Sequence, residues 1–561
     1  MRSGIVLAMA VAATVPLVPT SAEAAVVYKT SAGALLNAGG QPTAPLCKGT
    51  PDAPLVDNGD PVTVHMPPAP DFTLNSTNPT WWRTPPTADG VWQLTYRSLI
   101  WLQPIAFKAD RLGFTTTYEQ TVQQLKRFYA ENPDPGTATA TNLANANKWG
   151  WDEGTSLRRL TTLNCLYSLH ADSRLIPLMS AEVKVQVCPR YYGPPCHAVH
   201  NHGLMANNAI WRAGELTHTS AWMDLAESRM KAEATQAFDA AGFMKEQSSG
   251  YQIVNIRQWT SAANLIRTHD AAAAASIDAV VAGARKAAAW MYWPGNTRFA
   301  QLGGTTDETP KIPFPGVQSG RSLIDDTYGW MFGRFSWTDP LTSYYAIRYG
   351  PFRAYHGTQD RPAVTWGTLG ERVLVEPGTY GSDTTDNYVS YQLWVSAQNQ
   401  ATPSKLAFRN VNVTRRASTM YSTNHAHSFT DQQWGPTRPH SRYVAVYDTG
   451  KPARRLLIRD TFPNDRALSA TDNHVNQYFH LDPTWTLVNR GSNDATFRSA
   501  AGHTLRVRTT GSIFSILRGQ TRPPAGWHFP AWGVRQAANE ILIRRYDPDG
   551  TTEIETTLQV S

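Results

Sequence analysis

The chain has 561 residues, with 51 Lys and Arg against 44 Asp and Glu, a net charge of +7 and a pI near 9.1. Charged residues make up 17% and apolar residues 41%, which excludes a disordered or fibrous chain. Beyond the N-terminus no uninterrupted apolar run is long enough to cross a membrane, so we expect a globular protein without a membrane span.

The first 24 residues are typical of a secretory signal peptide. A basic start at Met1-Arg2 precedes an apolar run from Ile5 to Val18, and Ala22-Glu23-Ala24 forms a small-x-small cleavage site. We therefore expect a secreted protein cleaved after Ala24.

Export makes the four cysteines informative, because disulfides persist in oxidising compartments. Cys188 and Cys196 bracket a short Pro-rich loop that a disulfide would close, which leaves Cys47 and Cys165 as a second pair. Four cysteines allow three connectivities, and the sequence does not choose among them. A metal site formed by Cys188, Cys196 and His197 is the alternative, although an oxidising compartment favours the disulfide.

Helices are predicted from about residue 90 to 295, where apolar residues recur at intervals of three and four. The segments are Thr117 to Tyr129, Ser156 to His170, Ala221 to Ala241 and Ala271 to Trp290. After a Gly- and Pro-rich passage, short strand-like runs follow between turn residues: Tyr388–Val395, Leu406–Val413, Tyr443–Tyr447, Leu456–Ile458, Thr504–Val507 and Glu540–Arg545.

Runs of strands after runs of helices indicate two segregated domains. We place the boundary near residue 325, with a helical domain over 25–325 and an antiparallel β-sandwich over 326–561.

Three polar segments are candidates for chemistry. The first is His197-Ala-Val-His-Asn-His-Gly203, three histidines in six residues without an acidic residue among them. The second is Lys245-Glu-Gln-Ser-Ser-Gly-Tyr251, a polar turn that ends on a tyrosine. The third runs from Gly350-Pro351 through Arg353 and His356 to Asp360 and is followed by Val375-Glu-Pro-Gly-Thr-Tyr380. Taken singly, each also fits an ordinary structural segment.

Together, in this order and spacing, the three segments resemble the heparinase II/III-like polysaccharide lyases. That group has an (α/α) toroid followed by an antiparallel β-sandwich, which agrees with the helical and strand-like halves predicted above. The matching motifs are Asn201-His202-Gly203, Ser248-Ser-Gly-Tyr251, Gly350-Pro351 with His356 and Asp360, and the strand end at Tyr380. The run Trp149-Gly-Trp-Asp-Glu-Gly-Thr-Ser-Leu-Arg-Arg159 resembles the helix that lines the substrate groove in the family. The resemblance covers roughly residues 110–490.

The resemblance implies a lyase that cleaves a uronic-acid polysaccharide by β-elimination. Asn201 and His202 would neutralise the uronate carboxylate, because donors aimed at the developing enediolate stabilise it. Tyr251 would be the general acid, and also the base if both protons lie on one face of the sugar, whereas His356 would be the base if they lie on opposite faces. Substrate contacts would come from five further residues: Trp151, Arg158, Arg159, Arg353 and Tyr380. We also expect Arg353 or Arg159 to lower the pKa of Tyr251.

Two departures concern a metal. In relatives that bind zinc, the resemblance implies ligands at the positions of Thr358 and Glu376 together with a later histidine. Threonine is a poor zinc ligand, so we expect this site to be absent or rebuilt, with no cofactor required. Four later histidines could rebuild it, although their spacing does not favour it: His425, His427, His440 and His474.

The expected partner is an anionic polysaccharide rather than nucleic acid, and the lack of a dense Lys/Arg run favours a non-sulfated uronate polymer. A glycoside hydrolase is one alternative, with Asp152 and Glu153 or Asp307 and Glu308 as its carboxylates. A catalytically inactive carbohydrate-binding protein is the other.

Overall fold

The structure is a computed structural model. It describes residues 46–47, 62–66, 69–74, 79–82, 85–87, 90–132, 150–187, 199–307, 312–450, 454–465, 468–469, 472–548 and 550–561. The signal peptide predicted over 1–24 and the Cys188–Cys196 disulfide lie outside the described residues.

Nine helices lie in the described part of the first half: α1 Gly90–Arg97, α2 Leu102–Leu112, α3 Thr115–Glu131, α4 Glu153–His170, α5 Ile176–Gln186, α6 Asn201–Thr217, α7 Ser220–Ala237, α8 Ser249–Ile266 and α9 Ala271–Ala289. Side-chain oxygens cap three of them. Asp152 accepts from Gly154 N at α4, Ser248 from Tyr251 N at α8 and Asp270 from Ala273 N at α9, which satisfies amides that no helical carbonyl reaches.

Helix α4 is an inner helix, because fourteen of its eighteen residues are buried. It packs on α5 and α6, while α6 packs on α7 and α8 lies against α9. A disulfide joins Cys165 of α4 to Cys47, 118 residues earlier. In the described part of the chain, no helix is long and apolar enough to cross a membrane.

The second half consists of antiparallel sheets. Its strands are β3 Ser322–Asp325, β4 Trp330–Arg334, β5 Tyr344–Arg348, β6 Val364–Thr368, β7 Glu371–Leu374, β8 Ala401–Pro403, β9 Val413–Met420, β10 Asn424–Asp431, β11 His440–Tyr447, β12 Arg454–Pro463, β13 Val475–His480, β14 Thr486–Arg490, β15 Asp494–Arg498, β16 Thr504–Thr509, β17 Ser512–Arg518, β18 Gln520–Thr521, β19 Pro524–Ala525, β20 Trp527–Ala531, β21 Val534–Ala537, β22 Asn539–Arg545 and β23 Thr551–Val560. Strands β1 Thr63–Val64 and β2 Phe72–Thr73 pair near the N-terminus.

Three large sheets and two two-stranded sheets, β18-β19 and β20-β21, build the described β half. Strands β3 to β7 pair in sequence order; an eight-stranded sheet has the order β14-β15-β16-β23-β12-β11-β10-β9, and a four-stranded sheet the order β17-β22-β13-β8. The hydrophobic core of the β half is filled by apolar side chains that alternate along these strands, as expected where each strand buries one face.

The five-stranded sheet connects the two halves through its alternating side chains. Trp330 and Phe332 of β4 belong to the core of the helices, whereas Met331 between them belongs to the core of the sandwich. On β5, Tyr344 and Tyr345 divide in the same way. The sheet is therefore buried on both faces.

The predicted fold class, a helical toroid followed by an antiparallel β-sandwich, is confirmed. Helix α9 ends at Ala289 and β3 begins at Ser322, so the predicted boundary near residue 325 falls at the end of β3. The sheet formed by β3 to β7 contributes to the cores of both halves. The domain boundary at 325 therefore stays a prediction.

Two predicted strands are wrong. Residues 388–395 lie mainly in helix α10, Asn387–Leu393, because Asp386 caps its first turn by accepting from Tyr388 N at 2.7 Å. Of Leu406–Val413, only Val413 is in a strand, as the first residue of β9. The four other predicted strands lie within β11, β12, β16 and β22.

Candidate active site

Asn201 and His202 are the first two residues of α6. His200 precedes them as the N-cap, and its Nδ1 accepts from His202 N at 3.2 Å. The backbone N–H of Asn201 donates to Glu246 Oε1 at 3.1 Å, and His202 Nδ1 lies 3.0 Å from Glu153 Oε1. The start of a helix carries a partial positive charge, so both side chains stand where an anion is favoured.

Tyr251 is fixed in the first turn of α8. Ser248 caps this helix, and its hydroxyl lies 2.8 Å from the hydroxyl of Thr305. Thr305 in turn accepts from Gly250 N at 2.9 Å. These contacts hold the turn that carries the tyrosine against the loop that follows α9.

His356 comes from the β half and is held by residues that directly precede α8 and by the loop that follows α9. Its backbone N donates to the carbonyl of Glu246 at 3.2 Å, and its carbonyl accepts from Gly304 N at 2.7 Å. Gln247 donates to the carbonyl of Phe352 at 3.0 Å and accepts from Ala354 N at 2.8 Å. This clamp brings a residue that is 105 positions distant in sequence against Tyr251.

The rings of Tyr251 and His356 are stacked, with centroids 3.4 Å apart and planes inclined by 8°. On the other edge of the imidazole, His356 Nε2 lies 3.4 Å from Glu246 Oε2. The Glu246 side chain is almost fully buried, so it contacts the histidine from inside. The tyrosine and histidine rings are therefore in direct contact, with Glu246 on the buried side of the histidine.

The environment keeps both rings neutral near pH 7. Burial, with the nearby His202 and His200, lowers the pKa of His356 to about 4. Burial and the proximity of Glu246 raise the pKa of Tyr251 above its usual value, an effect that Arg158 partly offsets. The histidine can therefore accept a proton and the tyrosine can donate one.

Other residues predicted to bind substrate are placed differently. Arg158 is half-buried on α4 and acts electrostatically on Tyr251. Arg353 stabilises the loop of His356, because its Nε donates to the carbonyl of Gly357 at 2.7 Å.

Arg159 and Trp151 do not reach the site, which corrects the prediction for both. Each is fully buried; the Arg159 guanidinium pairs with Glu182 at 2.5 Å and lies 4.7 Å from the Trp151 ring. The arginine next in sequence on a helix points about 100° away, which explains why Arg158 faces the site and Arg159 the interior. The expectation that Arg353 or Arg159 lowers the pKa of Tyr251 is wrong as well, since the arginine that acts is Arg158 and burial outweighs it.

Tyr380 lies in an aromatic cluster of the β half. Its ring centroid is 5.3 Å from that of Tyr388 and 5.2 Å from that of Phe529. The ring therefore packs within the β half, and its contact with substrate stays a prediction.

The sequence-based prediction gives no role in the lyase to two acidic residues of the site, Glu246 and Glu153. Glu246 joins Asn201 to His356, and Glu153 joins His202 to the start of α4. Both stand within the segments singled out above, yet their partners lie tens of residues away along the chain. Only the packing of α4, α6 and α8 reveals these pairs.

Of the four carboxylates considered for a hydrolase, Glu153 lies in the site beside His202, whereas Asp152 and Asp307 are engaged elsewhere. Asp152 caps α4, and Asp307 pairs with Arg372 at 2.5 Å. Although burial opposes it, contacts with His528 and Arg372 lower the pKa of Asp307 to about 2, so it cannot act as the acid that a hydrolase requires. Glu308 lies outside the described residues.

The residues at the expected zinc site do not fit zinc. Thr358, Asp360 and Glu376 are buried, and Arg348 Nε lies 3.8 Å from Asp360 Oδ2. Burial raises the pKa of both carboxyls, while the charge of Arg348 opposes that rise at each. A buried guanidinium beside two carboxylates already supplies the positive charge, and it would repel a metal ion placed there.

The later histidines are engaged within the sandwich. His425 Nδ1 and His427 Nε2 lie 2.9 and 2.7 Å from the Tyr345 hydroxyl. His440 lies between Asp431 and Asp460, at 2.9 and 2.8 Å. The backbone carbonyl of His474 accepts from Ser404 N. These contacts account for the three buried imidazoles without a metal.

Comparison with solved structures finds similar architecture over most of the chain. Heparinase III is 14% identical, with a TM-score of 0.68 over 87% of this chain and 80% of that one. The heparan sulfate lyase HepC from Pedobacter heparinus is 13% identical, with a TM-score of 0.58 over 89% and 81% of the two chains. The BT4657 heparinase III with methylated lysines is 13% identical, with a TM-score of 0.62 over 89% and 82%.

No protein-family model matches the sequence, and no curated protein sequence matches it. At these identities the comparisons establish the fold alone. The chain has the heparinase III-like fold of a helical toroid followed by a β-sandwich.

Proposed function

We propose that this protein is a polysaccharide lyase that cleaves a uronic-acid polysaccharide by β-elimination. The observation that carries the proposal is the stacked pair of Tyr251 and His356 beside Asn201 and His202 at the start of α6. The heparinase-like fold supports the same reaction class, because the similar structures are named as heparinases and a heparan sulfate lyase.

Elimination first requires that the uronate carboxylate be neutralised, because an ionised carboxylate resists further charge on the adjacent carbon. Asn201 and His202 supply amide and imidazole donors at the positive end of α6. Each donor aimed at the developing enediolate contributes about 3 kcal/mol where water is excluded.

Proton transfer then falls to the stacked pair. With Nε2 of His356 toward Glu246, its Nδ1 edge remains for the C5 proton, an arrangement in which a third group orients the base. Tyr251, protonated because of its raised pKa, donates to the leaving oxygen on C4. Because the two rings are stacked in direct contact, both transfers take place on one face of the sugar, as a syn elimination. This differs from the expectation from sequence, in which His356 is the base only when the two protons lie on opposite faces.

The substrate we propose is a non-sulfated uronate polymer. The net charge of +7 attracts a polyanion, whereas a densely sulfated chain would favour clustered Lys and Arg that the sequence lacks. We also propose export through the N-terminal signal peptide, which the disulfide between Cys47 and Cys165 supports.

The test is ultraviolet absorbance of the mature protein with a panel of uronic-acid polysaccharides, because elimination alone creates the C4=C5 double bond. We expect absorbance to rise on at least one non-sulfated member. Reducing sugar released without absorbance would instead establish the hydrolase, and silence in both assays with measurable binding would establish the binding protein.

A further inference from the structure

A group of potential metal ligands lies at the edge of the active site. Glu153 opens α4, whereas His200 and His202 flank the start of α6. Glu153 Oε1 lies 3.0 Å from His202 Nδ1 and 3.7 Å from His200 Nε2. One ligand atom from each residue lies within 4.8 Å of the other two. Among the described residues, these are the ones that form a group of three His, Cys or acidic ligands.

The structure supplies what the histidine segment lacks in sequence. Three histidines without an acidic neighbour make an incomplete ligand set, and the packing of α4 against α6 adds a carboxylate from 47 residues upstream. Two imidazoles and one carboxylate are the ligand set of many catalytic zinc sites, in which a fourth position stays open for water or substrate. Imidazole donors also favour zinc and its neighbours over magnesium or calcium.

We propose that Glu153, His200 and His202 bind one divalent transition-metal ion, such as Zn²⁺, with a fourth position open to water or substrate. The half-buried side chains of Glu153 and His202, exposed by 22% and 32%, leave a path for the ion and for that fourth ligand.

The geometry of the two histidines is compatible with this role. With Nε2 of His200 on the metal, its proton resides on Nδ1, which lies 3.3 Å from Asn201 Oδ1. That bond would replace the N-cap contact with His202 N, and ligating histidines commonly donate their second N–H to an oxygen in this way. The amide oxygen of Asn201 is then held, so its NH₂ group faces away from His200.

His202 keeps a donor when Nδ1 is on the metal, because its Nε2 then carries the proton. The ion therefore positions Asn201 and His202 rather than displacing them. This last step rests on the proposed lyase function, whereas metal binding itself does not.

The test is calorimetric titration of the chelator-treated full-length mature protein with ZnCl₂, together with the visible spectrum after Co²⁺ addition. We expect one equivalent of Zn²⁺ to bind and a Co²⁺ spectrum typical of nitrogen and oxygen ligands. Glu153→Gln and His200→Ala should each weaken Zn²⁺ binding by at least about 100-fold. Since His200 caps α6, the melting temperature of each variant is measured, and Glu153→Gln is the decisive variant if His200→Ala unfolds.

A matched control comes from the sandwich, where His503 Nδ1 lies 3.2 Å from Glu371 Oε1 without a third ligand in this group. Glu371→Gln should leave Zn²⁺ binding unchanged. The proposal is overturned if the wild type binds no stoichiometric Zn²⁺, or if Glu153→Gln binds as tightly as the wild type. Lyase activity in a protein that binds no metal would overturn the metal site alone and leave the lyase intact.

Discussion

The acid limb of the pH profile tests the environment of His356 directly. A histidine with an ordinary pKa of about 6.5 is neutral in only about 3% of molecules at pH 5. With its pKa lowered to about 4, His356 is neutral in about 90% of molecules at that pH. If His356 takes the C5 proton, kcat/KM at pH 5 should stay within about 20% of its value at pH 7.

The direction of the pH dependence follows from the base, which must be unprotonated to accept the C5 proton. Activity is therefore present above the lowered pKa and declines tenfold per pH unit below about 4. The assay is the initial rate of absorbance increase between pH 3.5 and 10, with samples returned to pH 7 to confirm that the protein has not unfolded. A decline centred near 6.5 would refute the lowered pKa, and a rate that climbs from pH 7 to 10 would mean that the Tyr251 phenolate is the base.

Three further predictions concern the scaffold, each measured by urea unfolding. Although burial opposes it, contacts with Asp431 and Asp460 raise the pKa of His440 to about 9. The charged histidine should stabilise the fold by about 3 kcal/mol below pH 6.5, and this contribution should be lost as pH rises through 9. A His440→Gln variant whose free energy of unfolding keeps the same pH slope would contradict this. Arg348→Met leaves two buried carboxylates without their cation and should cost about 3–5 kcal/mol, whereas a loss below 1 kcal/mol would mean that these carboxyls are neutral. Cys165→Ser opens a disulfide across 118 residues and should cost about 2–5 kcal/mol; a variant as stable as the wild type would refute that contribution.

The fold could be predicted because its signals are local. Apolar intervals predict the helices α3, α4, α7 and α9, and alternation predicts strands such as β12 and β22. The strand predicted over residues 388–395 is wrong because its apolar and aromatic residues favour strands by propensity. In the structure, Asp386 caps a helix that begins there.

The site could be predicted only as far as its motifs extend. Asn201, His202, Tyr251 and His356 are named by their segments, and the structure places them together. Glu246 could not be assigned by pattern, because its role depends on contacts with residues 45 positions before it and 110 after it.

Arg159 shows the converse limit. Two adjacent arginines look equivalent in sequence, but only the helix phase decides which of them faces the site. Burial of Arg159 against Glu182 follows from packing between α4 and α5, which no local pattern encodes.

The measurement that tests the central claim most directly compares Tyr251→Phe with wild type on the polysaccharide that gives the strongest absorbance. Tyr421→Phe, an exposed tyrosine of the β half, is the matched control. The account predicts a kcat lowered by about 10²- to 10⁴-fold for Tyr251→Phe, with KM little changed and the control at wild-type rate. A Tyr251→Phe variant that forms the double bond at the wild-type rate would contradict the assignment.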